Sequence, residues 1–309
     1  MKNIATLTMN PTIDVAYRVR SMVHTHKMRT LDEHHHPGGG GINVARVFVR
    51  LGGNARCFYL SGGATGVALD GLVDLHQLVR RNITIGGHTR VAVATFEEET
   101  GREFRLVPPG PRVTMAECEQ CLDALSSVSC DMLVASGSLP PGVPADFYAQ
   151  VAELMQRRGI AFILDTSGDA LRSTLTAGGV FLVKPSLGEL EGFCGRKLAT
   201  IADIADAALD IVRRDQARIV TVTLGHRGAV LARGEGTLVL PAVAVEARSA
   251  VGAGDSFLAA MVHALARDWD LVEAFRYGLA AGAAAVLETG SGLAHPDDID
   301  RLFPAVGLV

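Results

Sequence analysis

The chain contains no G-x-x-x-x-G-K-[ST] stretch, so the phosphate loop of a Walker-type ATPase is missing. It has no G-x-G-x-x-G after an early strand either, which a Rossmann-type oxidoreductase would require. It lacks a basic excess. Lys and Arg number 29 against 33 Asp and Glu, for a formal charge of −4, so a nucleic-acid partner is not expected. A small anionic substrate stays open, because it needs only a few local cations. No uninterrupted apolar run reaches membrane-spanning length, so no membrane partner is expected. The opening MKNIATLTMNPTID has one lysine before a short β-like run and no long apolar segment. It does not read as a signal peptide, and a cytoplasmic location is expected. No Pro-rich linker, internal repeat or low-complexity tail interrupts the chain. Cysteines are few, at 57, 118, 121, 130 and 194, an odd number that suggests reduced thiols. Cys118 and Cys121 form a lone C-x-x-C without the second pair of ligands that zinc needs.

What is present is a strongly apolar chain of 309 residues, 48% hydrophobic and 20% charged, enough for a large core. Short β-like runs recur at Ile4–Thr8, Arg56–Leu60, Met132–Ala135, Ala161–Asp165, Val180–Val183 and Ile219–Leu224. Helical patterns lie between many of them, at Ile42–Leu51, Ala116–Leu125, Pro144–Arg157 and Ile201–Arg214. This alternation predicts an α/β fold with a mainly parallel sheet and crossover helices. Ala280–Val286 reads as part of a buried helix. Two regions, Val15–His36 and Thr89–Val107, break the rhythm and alternate like antiparallel strands. They predict a small β-layer that covers either an active site or a second subunit. His34-His-His36 reads as a polar loop before a glycine turn. Glu97-Glu-Glu99 reads as the solvated tip of a hairpin.

The sharpest local signal is Ala250-Val-Gly-Ala-Gly-Asp-Ser256, which leads into a helical pattern. Gly252 and Gly254 permit a tight turn, and the helix start offers unpaired N–H groups to an anion. Asp255 at that turn could take the proton of a substrate hydroxyl during phosphoryl transfer. It could equally serve as a plain helix cap. The second signal is the glycine run from Gly38 to Gly41, followed by Asn43 in the first turn of a helix. Its backbone can approach a ligand closely, and an amide can bind sugar hydroxyls. It could also be a flexible turn. Lys27, Arg29, Arg90 and Arg105 fall within the proposed β-layer. They could bind a substrate phosphate or merely protect strand edges.

Together these motifs resemble the ribokinase-like PfkB carbohydrate kinase family. Gly38–Gly63 looks like its N-terminal signature and Val251-Gly-Ala-Gly-Asp-Ser256 like its C-terminal one, with the likeness running over essentially the whole chain. The resemblance implies a three-layer α/β/α fold across residues 1–309, with a β-lid at about 15–36 and 89–107. It implies ATP-dependent phosphorylation of a ketohexose phosphate, fructose 6-phosphate first, with fructose 1-phosphate and tagatose 6-phosphate as alternatives. A sugar or nucleotide sensor that has lost activity is the reading of another class. Asp14, Gly38, Gly39, Asn43 and Ser138 would face the sugar, and Gly252, Ala253 and Gly254 would form the anion hole beside the base Asp255. Lys184, Ser186, Thr223, Gly225 and Gly228 would line the ATP site. Glu189 would hold Mg²⁺ through water, and Ser249, Val251, Ala285 and Gly290 would form a monovalent-cation site, taking K⁺. One departure stands out: Ser186-Leu-Gly-Glu189 occupies the place of the family's Asn-x-x-Glu. Gly292 also replaces a larger polar residue. A homodimer through the lid is expected.

Overall fold

The computed structural model describes residues 1–288 and 292–307. In chain order the strands are β1 Ile4–Thr8, β2 Thr12–Val19, β3 Asp32–Gly38, β4 Ala55–Ser61, β5 Val79–Thr84, β6 Arg90–Glu97, β7 Arg102–Leu106, β8 Met132–Ser136, β9 Ala161–Asp165, β10 Val180–Val183, β11 Ala217–Thr223, β12 Ala229–Arg233 and β13 Gly236–Leu240. The helices are α1 Gly40–Arg50, α2 Gly63–Leu75, α3 Met115–Ser126, α4 Phe147–Arg157, α5 Gly168–Ala177, α6 Leu187–Cys194, α7 Ile201–Arg213, α8 Ala253–Ala266, α9 Leu271–Ala285 and α10 Pro296–Leu302.

The main sheet runs β13-β12-β11-β10-β9-β8-β1-β4-β5, parallel from β11 through β5, with β12 and β13 antiparallel at one edge. Its central strands read as continuous apolar runs because both faces are covered. Every residue of β1 and of β8 is buried. Alternate side chains serve opposite layers. Ile4, Met132 and Val134 join one apolar cluster with residues of α1, α2, α8, α9 and α10. Ala5, Leu7, Leu133 and Ala135 join the other with residues of α3 to α7. The alanine-rich segment lies in α9, where Ala280, Ala281, Ala284 and Ala285 are buried. Cys118 and Cys121 are core residues of α3.

A separate sheet, β3-β2-β6-β7, is built from the two regions that broke the sequence rhythm. The expected antiparallel pairing holds for β2 with β3 and for β6 with β7, but β2 and β6 run parallel, Thr12 facing Arg90. The sequence signal for a hairpin is local, whereas β2 and β6 are joined through the main sheet and α1 and α2. Two further expectations are corrected. His34, His35 and His36 belong to β3 and are not loop residues. As an edge strand with an exposed face, β3 has no apolar alternation to betray it. Glu98 and Glu99 do lie exposed in the β6–β7 turn, but Glu97 is buried at the end of β6. It accepts from Met22 N–H at 2.6 Å and also from the hydroxyl of Thr100, so it ties the β2–β3 connection to the β6–β7 turn.

Candidate active site

The C-terminal ends of the parallel strands collect the polar residues, as open α/β sheets tend to do. Ser136 ends β8, Asp165 ends β9, Lys184 follows β10 and Thr223 ends β11. Lys184 is buried, and its Nζ lies 3.0 Å from Asp165 Oδ1. Ser136 Oγ donates to the other oxygen of Asp165 at 3.2 Å. Burial works against the Lys184 ammonium, but Asp165, Asp255 and Glu189 together hold its pKa above the usual value.

Across from this pair is the start of α8. Gly252 precedes the helix in the left-handed region, φ 74°, a conformation suited to glycine. No side chain caps the helix. The first backbone bond runs from Ser256 N–H to Gly252 carbonyl at 2.8 Å. The amides of Ala253, Gly254 and Asp255 therefore open outward at the positive end of the dipole. A side chain at Gly254 would place its Cβ 3.3 Å from Lys184 Nζ, so the ammonium adjoins this turn.

Asp255 is not the helix cap. Its Oδ2 accepts from Asn43 Nδ2 at 2.9 Å. Burial raises its pKa to about 6, with Asp165 and Asp14 adding repulsion while Asn43 and Lys184 pull the other way. Asp14, in β2, is likewise raised to about 6 by burial, against the pull of Arg105, Arg46 and Arg90.

The glycine run has a steric basis. A Cβ on Gly38 would lie 2.0 Å from Asp14 Oδ2, and one on Gly40 would lie 2.1 Å from Ser136 Oγ. On Gly41 it would strike the Leu7 carbonyl oxygen at 2.6 Å, and on Gly39 the Thr8 methyl at 2.7 Å. The run thus lets α1 start against β1 with Asp14 and Ser136 on either side. Asn10 is buried beside it and donates to Ser138 Oγ at 3.2 Å.

Of the proposed cations, Arg90 and Arg105 act on Asp14. Arg90 also donates to the carbonyls of Pro108 and Asn10, at 2.9 and 2.8 Å. Asp14, Arg105 and Val251 share the lining of a small cleft under the second sheet. Lys27 and Arg29 are not drawn in; they stand exposed on the connection from β2 to β3. The expected nucleotide residues do come together, since Ser186 bridges to Thr223 and Thr223 N–H donates to Pro185 carbonyl at 3.1 Å. Gly225 and Gly228 bracket the short turn after β11. Ser186, standing where the family has Asn, caps α6: Glu189 N–H donates to its hydroxyl at 3.3 Å, and its own N–H donates to Glu189 Oε2 at 2.7 Å.

Among the described residues no three His, Cys, Asp or Glu side chains converge on a metal position. The carboxylates of Asp165, Glu189 and Asp255 surround the one ammonium of Lys184, an acidic surplus that suits a hydrated cation such as Mg²⁺, which keeps several waters. Of the expected monovalent-cation residues, Ser249 adjoins α9, its N–H reaching Val286 carbonyl at 3.4 Å, and Val251 N–H donates to Ser249 Oγ at 3.2 Å. The Ala285 carbonyl accepts from Glu288 N–H at 3.2 Å. Gly290 lies outside the described residues.

Two site residues escaped sequence reasoning. Asp165 looked like the end of a strand. Arg46 looked like an ordinary helical arginine, although it falls in an otherwise apolar run where a charge needs a partner.

An aspartate beside an ammonium and an uncapped helix start, with no P-loop, suits transfer of a phosphoryl group to a small-molecule hydroxyl. The chain belongs to the pfkB family of carbohydrate kinases, whose model matches residues 7–298. The ATP-dependent 6-phosphofructokinase isozyme 2 of Mycobacterium tuberculosis is 42% identical over 302 residues, covering 97% of this chain and 88% of the relative. The isozyme 2 of Escherichia coli is 36% identical over 304 residues, covering 98% of each. A crystal structure of phosphofructokinase-2 from Escherichia coli in complex with potassium matches with a TM-score of 0.94 at 36% identity, over 99% of both chains. The fold is the ribokinase-like α/β fold with its separate small sheet.

Proposed function

We propose that the chain transfers the γ-phosphoryl group of ATP to the free primary hydroxyl of fructose 6-phosphate, giving fructose 1,6-bisphosphate. Relatives named for this activity support the choice of sugar. The observation that carries the reaction class is Asp255, uncommitted as a cap, held by Asn43 and set at the open end of α8.

In this reading Asp255 accepts the proton of the attacking hydroxyl as the O–P bond forms. The amides of Gly252, Ala253 and Gly254 face the transferred group, and their fixed dipoles meet its charge without reorganising. Lys184 adds a full charge at the same turn. Asp14, Asn43, Ser138 and the backbone at Gly38 and Gly39 hold sugar hydroxyls. Arg90 and Arg105 face the sugar phosphate, and Lys27 and Arg29 join them when the second sheet closes. Ser186, Thr223, Gly225 and Gly228 line the nucleotide. Glu189 would hold a magnesium ion through water, and that ion would supply charge neutralisation at the nucleotide phosphates. Carbonyls near Ser249, Val251 and Ala285 would hold a monovalent cation that supports the turn before α8.

The second sheet acts as a lid that keeps water from the γ-phosphate, so that transfer outruns hydrolysis. Phe96, Phe104 and Leu106 are exposed on it, and Val107 just past its last strand. Apolar area of this kind supports a homodimer through the two lids. The enzyme works in the cytoplasm, where its five thiols remain reduced.

The test is ADP release from Mg-ATP against fructose 6-phosphate, tagatose 6-phosphate, fructose 1-phosphate, fructose and ribose. Strong turnover with fructose 6-phosphate supports the proposal. Preference for another ketohexose phosphate keeps the chemistry and replaces the sugar. Turnover only with unphosphorylated sugars removes the phosphate role of Arg90 and Arg105. ATP binding with silence across the panel favours a sensor.

A further inference from the structure

Arg46 carries a charge into a helix segment that is otherwise closed to one. Every residue of α1 from Gly41 to Phe48 is buried, and Arg46 is only 3% exposed. Burial lowers its pKa to about 10, so it remains cationic near neutral pH. Its Nη1 donates to Pro37 carbonyl at 3.1 Å and to Asn43 Oδ1 at 3.3 Å, while its Nε is buried without an acceptor. Burying a cation and an unmet donor is costly, and among the described residues its hydrogen bonds go to a carbonyl and an amide rather than to a carboxylate. What the charge does instead is act on the amide beside it.

Asn43 lies between Arg46 and Asp255, donating to the latter at 2.9 Å. A guanidinium offers donors only, and a carboxylate accepts only. An amide caught between them has one orientation, oxygen toward Arg46 and N–H toward Asp255. We infer that Arg46 is a positioning residue for the base, acting through Asn43 to keep Asp255 ionised and aimed at the substrate hydroxyl. The inference rests on the kinase reading given above.

Without Arg46 the amide is free to turn and present its oxygen to Asp255. That oxygen can be met only by a protonated carboxyl, which is useless as a base. The neighbours set the background for this effect. Asp14 from β2 and Asp255 from α8 both favour the Arg46 charge, and Arg50 on the same helix opposes it. His36 on β3 and His76 after α2 also feel Arg46, and both are held at about 4, hence neutral, first by burial. Asp255 is further exposed to Asp165, Asp14 and Lys184. None of these can replace a donor aimed at Asn43 Oδ1.

The experiment compares wild type, Arg46→Met, Arg46→Lys and Arg46→Gln. Turnover of fructose 6-phosphate is followed from about pH 5 to about 9, and side-chain carboxyls are titrated by ¹³C NMR. The Asp255 signal is assigned by its absence in Asp255→Asn. In Arg46→Met the Asp255 midpoint should rise by on the order of one pH unit. Its kcat should be lowest relative to wild type below about pH 7 and recover toward wild type near pH 9, with KM for ATP unchanged. Arg46→Lys, which keeps a charge, should lie between. A loss of equal size at every pH, with the Asp255 midpoint unmoved, overturns the inference. If Arg46→Met does not fold, the other two variants decide. A higher midpoint in Gln than in Lys supports the role, and equal midpoints reject it. Wild type inactive on every sugar would remove the kinase reading, while the NMR midpoints would still judge Arg46.

Discussion

Asn43 Nδ2 donates to Asp255 Oδ2 at 2.9 Å, joining the first turn of α1 to the first turn of α8. Each residue comes from one of the two glycine motifs, and the contact shows why both are needed. In the proposed reading the base and a sugar-binding amide share a single point, so a hydroxyl bound by Asn43 would already be within reach of Asp255.

On the proposed function, replacing Asp255 with Asn removes the base and retains the shape. We expect kcat to fall by roughly 10²–10⁴ while circular dichroism stays that of the folded protein. Near-normal turnover in this variant would reject Asp255 as the base.

The pH response of activity and of stability should run in opposite directions at this site. Asp255 and Asp14 are both lifted to about 6, first by burial. Only ionised Asp255 accepts a proton, so kcat/KM should drop as pH falls below about 6. Folded, both groups bind protons more readily than unfolded, so their stability contribution is fully present below the usual 3.8 and lost as pH rises through about 6. Carboxylates elsewhere, such as Asp203 and Glu191, are held low by hydrogen bonds and contribute with the opposite sign. The comparison of wild type with Asp255→Asn separates the two. The variant should gain stability relative to wild type between about pH 4 and about pH 7, measured by urea unfolding. A constant difference across that range would mean that burial does not shift Asp255.

Much of the architecture was legible because central parallel strands have a strong local signature. The runs Ile4–Thr8, Ala161–Asp165 and Val180–Val183 are strands with those bounds. Polar edge elements were harder, as the histidines of β3 show, because one-sided pairing leaves no apolar alternation. The pairing of β2 with β6 could not be read locally, since β3, α1, β4, α2 and β5 lie between them in the chain. At the site, the glycines and Asp255 were legible as a motif. Asp165 was not, because its partners Ser136 and Lys184 lie at the ends of other strands, and Arg46 was not, because its neighbour Asn43 reaches Asp255, which is distant in sequence. An arginine inside the otherwise apolar run Val44–Phe48 was the one clue available. Lys27 and Arg29 share the lid segments with Arg90 in the sequence, but the fold leaves them on an exposed connection.

Lys184 and Asp165 form a buried pair, with side-chain exposures of 6% and 13%. Lys184→Met leaves Asp165, among the described residues, with the Ser136 hydroxyl as its remaining side-chain donor, and leaves Asp255 facing an unbalanced negative charge. Breaking such a pair from one side costs about 3–5 kcal/mol. The loss should show in urea unfolding near neutral pH and shrink at lower pH, where the carboxylates protonate. A loss below about 1 kcal/mol would indicate that solvent already neutralises the pair.

Two glycines in the same run should fail in different ways when replaced by alanine. At Gly38 the new methyl would lie 2.0 Å from Asp14 Oδ2, the far end of a side chain that can rotate away. Moving it costs little stability but takes Asp14 from its place beside Arg90 and Arg105. Gly38→Ala should therefore raise KM for the sugar with little change in the unfolding midpoint. At Gly41 the methyl would meet the Leu7 carbonyl oxygen at 2.6 Å, which is backbone in the fully buried strand β1. Relief there requires α1 to move away from the sheet and opens gaps in a packed core, a cost on the order of 1–3 kcal/mol. Gly41→Ala should therefore lower the unfolding midpoint first and activity as a consequence. Measuring both variants by urea unfolding and by sugar-dependent ADP release separates the two effects. If Gly38→Ala loses stability as Gly41→Ala does while KM stays fixed, Asp14 is a structural residue of β2 and the sugar is held elsewhere.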